Sequence, residues 1–231
     1  MIIAIHQPEF MPWLKFFDKM KRVDKYIVFD HVQFKKRYFE NRNRVKQEDI
    51  AVWLSVPVKT KGKYLQRIGD VEIDNSLPWQ NKLWAKIIHC YSKSPYFKEF
   101  GQEIESIIFA QRYERLINFN LNFIEWFRKI LDINNSMLFS SRLDVDEYKG
   151  SNLILQICSL LGANQYLCGS FGKDYLNLDD FHKAGIEIIW QDFHHPQYPQ
   201  IGDNFTPNLS ALDIVLNCGL VSRDILFRNG I

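Results

Sequence analysis

Residues 3–20 read IAIHQPEFMPWLKFFDKM, and their reading decides the fold. A short apolar run, Met1 to Ile5, has the length and composition of a buried strand. It meets His6, Gln7 and two prolines, and an aromatic-rich helix then runs to Met20, with Pro12 fitting its first turn. Strand, polar loop and helix in that order form the opening unit of a parallel α/β sheet, in which ligands sit beyond the C-terminal strand ends.

The same punctuation recurs along the chain. YIVFD (26–30) reads as a second strand ending on Asp30, AVWLSVPV (51–58) as a third and VEID (71–74) as a fourth. From Pro78 to Ile133 the pattern turns helical, with apolar residues at i, i+3, i+4 and i+7 over about three helices. SMLFSS (136–141) returns as a strand. A helix capped by Ser151 and stopped by Gly162 follows, then the strand QYLCG (165–169). A short helix over Phe181–Ala184, the strand IEIIW (186–190) and a final helix with Ser210 and Asp213 as a capping box complete the series. The expectation is one α/β domain over residues 1–231, with a Rossmann-like, mostly parallel sheet and a helical insertion over about residues 78–133.

Composition bounds the function. At 231 residues, 46% apolar and 24% charged, the chain can bury a proper core. No window is long and apolar enough for a membrane span, and the start lacks the charged and apolar regions of a signal peptide. Cys90, Cys158, Cys168 and Cys218 are widely spaced and read as reduced thiols, so a cytoplasmic location is expected. Residues 35–46 carry six bases against Glu40 alone, whereas 174–217 carry seven acids against Lys183 alone. That asymmetry favours a site for a small anion over a nucleic-acid surface; RNA binding through residues 35–46 would require a larger basic surplus.

Chemistry concentrates at four strand ends: His6-Gln7, Asp30 with Gln33, Gly169 to Asp174, and Gln191-Asp192. Guanidinium forks suit phosphate or carboxylate, which singles out Arg37, Arg42 and Arg44, with Phe34, Tyr38 and Phe39 available for stacking. CGSFGKDYL (168–176) can offer backbone N–H groups and Lys173 to an anion, but lacks P-loop spacing, and Asp174 equally suits a helix cap. His194 and His195 are adjacent, without zinc-ligand spacing; no structural metal is expected, and a single histidine suits a general base. No nucleophile elbow is present.

Taken together, IAIHQPEFMPWLKFFDKM, DHVQFKKRYFENRNRVK, WLSVPVK, YLCGSFGKDYL and QDFHHPQYPQ…FTPNLSALDIVLNCG resemble the successive blocks of the WbqC-like family, from residue 2 to about 219. The chain departs from the family pattern at Phe10, where a tyrosine is usual, at Lys15, where a glycine is usual, and at Phe171-Gly172-Lys173, where two glycines and an arginine are usual. The resemblance implies a role in O-antigen or other surface-polysaccharide biosynthesis, with N-acyl or aminoacyl (glycyl-type) transfer onto the amino group of a nucleotide-linked amino sugar. The partners it implies are a sugar nucleotide and an acyl donor, with no nucleic acid and no membrane insertion. His6 or His195 would then serve as base, with Gln7 and Asn43 as orienting donors and Asp30 or Asp174 on the amine or ribose. Arg37, Arg42 and Lys173 would bind phosphate; Trp13, Gln33 and Tyr198 complete the expected binding set. The layout of the first unit is also similar to pantothenate synthetases, but the HxGH histidines are absent. An ATP–Mg-dependent amide ligase is therefore one alternative, and a non-catalytic sugar-nucleotide-binding protein is another.

Overall fold

The computed structural model describes residues 1–228. In chain order its elements are β1 (Ile2–His6), α1 (Leu14–Lys21), β2 (Lys25–Val28), β3 (Arg42–Gln47), β4 (Ile50–Ser55), α2 (Trp79–Tyr91), α3 (Phe97–Phe109) and α4 (Leu116–Ile130). There follow β5 (Ser136–Phe139), α5 (Gly150–Leu160), β6 (Gln165–Cys168), α6 (Leu178–Lys183), β7 (Glu187–Trp190), α7 (Ala211–Cys218) and α8 (Ser222–Leu226). Among the described residues no helix is long and apolar enough to cross a membrane.

Five strands form an all-parallel sheet in the order β5-β2-β1-β6-β7. The chain builds outward from β1 in one direction through β2 and β5, then crosses back to extend the sheet through β6 and β7. The order therefore reverses between β1 and β6, the place where doubly wound sheets open a crevice. Period-two alternation clothes both faces. Ala4, Tyr26 and Leu167 pack in a core with α1, α2–α4 and α7, whereas Ile3, Ile5, Ile27, Tyr166 and Cys168 pack opposite, with α5 and α6.

The α/β reading and the parallel sheet agree with the sequence, and several local expectations do not. The basic run 35–46 contributes its second half to β3, which pairs antiparallel with β4 in a separate two-stranded hairpin. AVWLSVPV thus joins the hairpin and not the main sheet, while VEID makes only isolated bridges, Val58 to Ile73 and Glu72 to Arg115. Pro12 lies ahead of the first helix, whose N-cap is Trp13. Ser151 does not cap α5; its hydroxyl accepts the Asn177 N–H at 2.8 Å. Ser210 does cap α7, accepting the Leu212 N–H, but the Asp213 carboxylate turns inward and completes no capping box.

Candidate functional site

A cavity of about 620 Å³ opens at the reversal of strand order, between the ends of β1 and β6. Its first wall is the β1–α1 loop with one face of α1: His6, Gln7, Glu9, Trp13, Lys15, Phe16 and Lys19. The loop is held open from behind. Asn43, buried on β3, donates to the carbonyls of Phe10 at 3.2 Å and Met11 at 2.9 Å. Asn120, buried on α4, donates to the Pro8 carbonyl, and the Ala211 N–H donates to that of Pro12. Backbone carbonyls fixed by distant side chains leave the loop's own side chains free to face the cavity.

The remaining walls come from Val32, Lys35, Tyr38 and Phe39 on one side, and from Tyr166, Cys168, Gly169, Phe171, Gly172 and Tyr175 on the other. Gly172 is required here by space: a methyl group would overlap the Cys168 sulfur. Gln191, at the end of β7, is anchored by donating to Asp18 Oδ2 at 2.7 Å and to the Lys15 carbonyl. The lining thus combines aromatic rings with three lysines, Lys15, Lys19 and Lys35.

Burial perturbs the ionisable groups. The His6 ring, a quarter exposed, faces the cavity, and its basicity is held down to about 3 by desolvation and then by Lys19. It is a neutral imidazole at physiological pH, with Nδ1 3.1 Å from the Gln7 carbonyl oxygen. Desolvation lowers Lys19 to about 8, whereas Glu9 is pushed up to about 8 by burial and then by Glu40. Burial likewise raises the Cys168 thiol, which does not favour a resting thiolate.

Of the residues singled out from sequence, the structure brings His6, Gln7 and Trp13 to this cavity. Tyr38, Phe39, Gly169 and Gln191 line it as well, whereas the remaining polar candidates lie elsewhere. Asp30 is buried as a tie between β2 and the turn after β5, accepting from Ser140 Oγ, Ser141 N and Ser141 Oγ. Gln33 donates to the Tyr64 carbonyl, and Arg37 is exposed at a positive φ of 62°. Arg42 lies 4.1 Å over the Trp53 ring, where guanidinium stacking stabilises the hairpin surface. Lys173 and Asp174 are exposed in a 3₁₀ turn, with the Lys173 ammonium 5.3 Å from the Trp190 ring centroid. His195 accepts the Asn208 N–H on Nε2, its Nδ1 lies 2.8 Å from the Pro196 carbonyl oxygen, and it stacks on buried Tyr198. Those bonds fix its tautomer and spend both nitrogens within the C-terminal loop.

The cations that do line the cavity, Lys15, Lys19 and Lys35, were not among the expected site residues, although a signal was present. Lys15 and Lys19 stand four apart on α1, which places them on one helix face. Lys15 also replaces a residue that is usually glycine in the resembling family. Glu9, between two prolines, carried no such signal.

The profile of the WbqC-like protein family matches residues 7–225. The chain is 28% identical over 225 residues to Rv1507c, an uncharacterized protein of Mycobacterium tuberculosis, covering 97% of this chain and 96% of that protein. No solved structure matches.

Proposed function

From the premise that the chain belongs to the WbqC-like family, we propose that the cavity binds a nucleotide-linked amino sugar. The reaction is N-acyl or aminoacyl (glycyl-type) transfer onto the sugar's amine, in O-antigen or other surface-polysaccharide assembly. The observation that carries this reading is the meeting of Lys15, Lys19 and Lys35 with Trp13, Phe39, Tyr38 and Tyr175 in one cavity at the strand-order reversal. Ammonium groups in a partly desolvated crevice suit a diphosphate, and aromatic faces suit a base or sugar ring.

In such a transfer the amine nitrogen bonds to the acyl carbon, the bond to the donor's carrier group breaks, and one proton leaves the amine. His6 is too weakly basic to take that proton, so it and Gln7 serve as hydrogen-bonding groups that orient the sugar. A second reading draws on the same lysines at the same strand ends: an ATP–Mg-dependent amide ligase.

Thermal-shift titration separates the two. The expected result is a saturable rise in Tm with a nucleoside-diphosphate-linked amino sugar alone, reduced about tenfold in affinity by Lys19→Met. Turnover is then expected with an acyl donor in the absence of ATP. A rise seen only with ATP–Mg would overturn transfer in favour of ligation. Saturable binding without turnover for any donor would leave a binding protein.

A further inference from the structure

The lysines account for an anion, but the inner end of the same cavity is acidic. Glu9 lines it while only 6% exposed; its Oε1 lies 3.9 Å from His6 Nε2, and its Oε2 has no partner among the described residues. Behind it Glu40 has no exposed surface, and neither of its carboxylate oxygens has a partner among the described residues. Two buried neutral side chains beside them each carry one atom with no partner among the described residues. Asn120, whose amide nitrogen holds the Pro8 and Glu40 carbonyls, has an unmatched Oδ1, and Tyr26, whose phenol feels the Glu9 charge, has an unmatched hydroxyl.

Buried polar groups are nearly always hydrogen-bonded, because each lost bond to water must be replaced. Here four acceptor oxygens and a phenol cluster without partners among the described residues, and one of the oxygens, Glu9 Oε2, belongs to a residue that lines the cavity. The group that answers them carries several N–H donors and a positive charge. We propose that Glu9, backed by Glu40, is the amine-binding end of the cavity, so that the ligand is a zwitterion with its anionic group on the lysines and its primary ammonium on Glu9.

The inference rests on the cavity reading above and assigns the proton that His6 cannot take. The ammonium gives one proton to the Glu9 carboxylate; the freed lone pair attacks the acyl carbon, the bond to the donor's carrier group breaks, and the nitrogen's second proton leaves with that group. Glu9, pushed up to about 8, is matched to an ammonium of similar acidity. The charged and titratable groups facing it are His6 from β1, Lys19 from α1, Tyr26 from β2, and Tyr38 and Glu40 from the segment before β3. Lys35 faces Glu40 in turn. Glu40 does not line the cavity and acts through Glu9, as a positioning residue.

The test is calorimetric binding of two probes at pH 8: a nucleoside-diphosphate-linked amino hexose, and the same compound with hydroxyl in place of the amine. The unmodified protein is expected to prefer the amine by about tenfold or more, and Glu9→Gln to bring the ratio to about one. Glu9→Ala gives the same readout if the glutamine variant fails to fold. Equal affinity of the unmodified protein for both probes overturns the amine site and leaves the nucleotide reading standing. If neither probe binds, the nucleotide reading fails, and ethylammonium decides the amine site. A shift of the Glu9 carboxyl carbon resonance on its addition supports the site; no shift overturns it. Glu40→Gln is expected to lower the pH at which that resonance titrates, which a purely structural Glu40 would leave unmoved.

Discussion

Glu40 is a carboxyl group with no exposed surface and, among the described residues, no partner for either oxygen; burial raises it to about 7 in the folded chain from an ordinary value near 4.5. The consequence for stability has a definite sign. Below pH 4.5 the group is protonated whether the chain is folded or not, and it costs nothing. Between 4.5 and 7 the unfolded chain ionises first, so stability falls as pH rises; above 7 both states are ionised and the loss levels off. A shift of this size corresponds to about 3 kcal/mol at 1.36 kcal/mol per unit. A glutamine amide cannot ionise but still loses water on burial, so Glu40→Gln recovers about 2 kcal/mol. Urea unfolding is expected to show the variant more stable at pH 8 and equal to the parent at pH 4. Equal stability at both pH values would mean that burial does not raise the Glu40 carboxyl above its ordinary value, and would overturn this reading.

At the scale of elements, the sheet was legible and its accessories were not. Strands β1, β2, β5, β6 and β7 announce themselves as short apolar runs ending in polar residues, because a strand covered on both faces needs little else. The hairpin was hidden because β3 reads Arg42-Asn43-Arg44-Val45-Lys46-Gln47, with no apolar alternation beyond Val45. Long basic side chains supply it instead: Arg42 covers Trp53, and buried Lys46 reaches the Asn204 carbonyl. This concealment also misdirects function. Asn43 has the chemistry of an oxyanion donor, yet its amide is committed to the Phe10 and Met11 carbonyls, and its Oδ1 accepts the Arg44 N–H at 2.8 Å. Asn43→Ala leaves two buried carbonyls without donors and is expected to cost about 2–4 kcal/mol. Because those carbonyls set the β1–α1 loop, affinity for any cavity ligand should fall with it. Denaturant unfolding and calorimetry on the same preparation check both; a large loss of affinity at unchanged stability would return Asn43 to direct ligand contact.

At the scale of the molecule, the cavity is built from both ends of the sequence, and this explains which site residues could be read in advance. His6, Gln7 and Trp13 belong to one continuous stretch whose oddity is local, whereas Lys19 acquires its surroundings only when Cys168 and Gly169, more than 100 positions later, come against it. His195 was drawn into the expected set by its type and by the family resemblance, and folding placed it among Tyr198, Phe205 and Asn208. That C-terminal loop has a different task, clamping the first third of the chain. Asp213 on α7 accepts from Tyr91 of α2 at 2.9 Å and from Gln200 at 2.8 Å, while the Tyr91 hydroxyl accepts the Lys46 N–H of β3. Gln200 cannot turn its amide to suit a new partner, since Thr206 holds both its ends. Asp213→Asn therefore sets an N–H against an existing donor, and about 2–3 kcal/mol of stability should be lost at pH 7. The cavity lies apart from this network, so ligand affinity measured well below the unfolding transition should match the parent protein. A variant that kept its stability but lost ligand affinity would make the clamp part of the binding site.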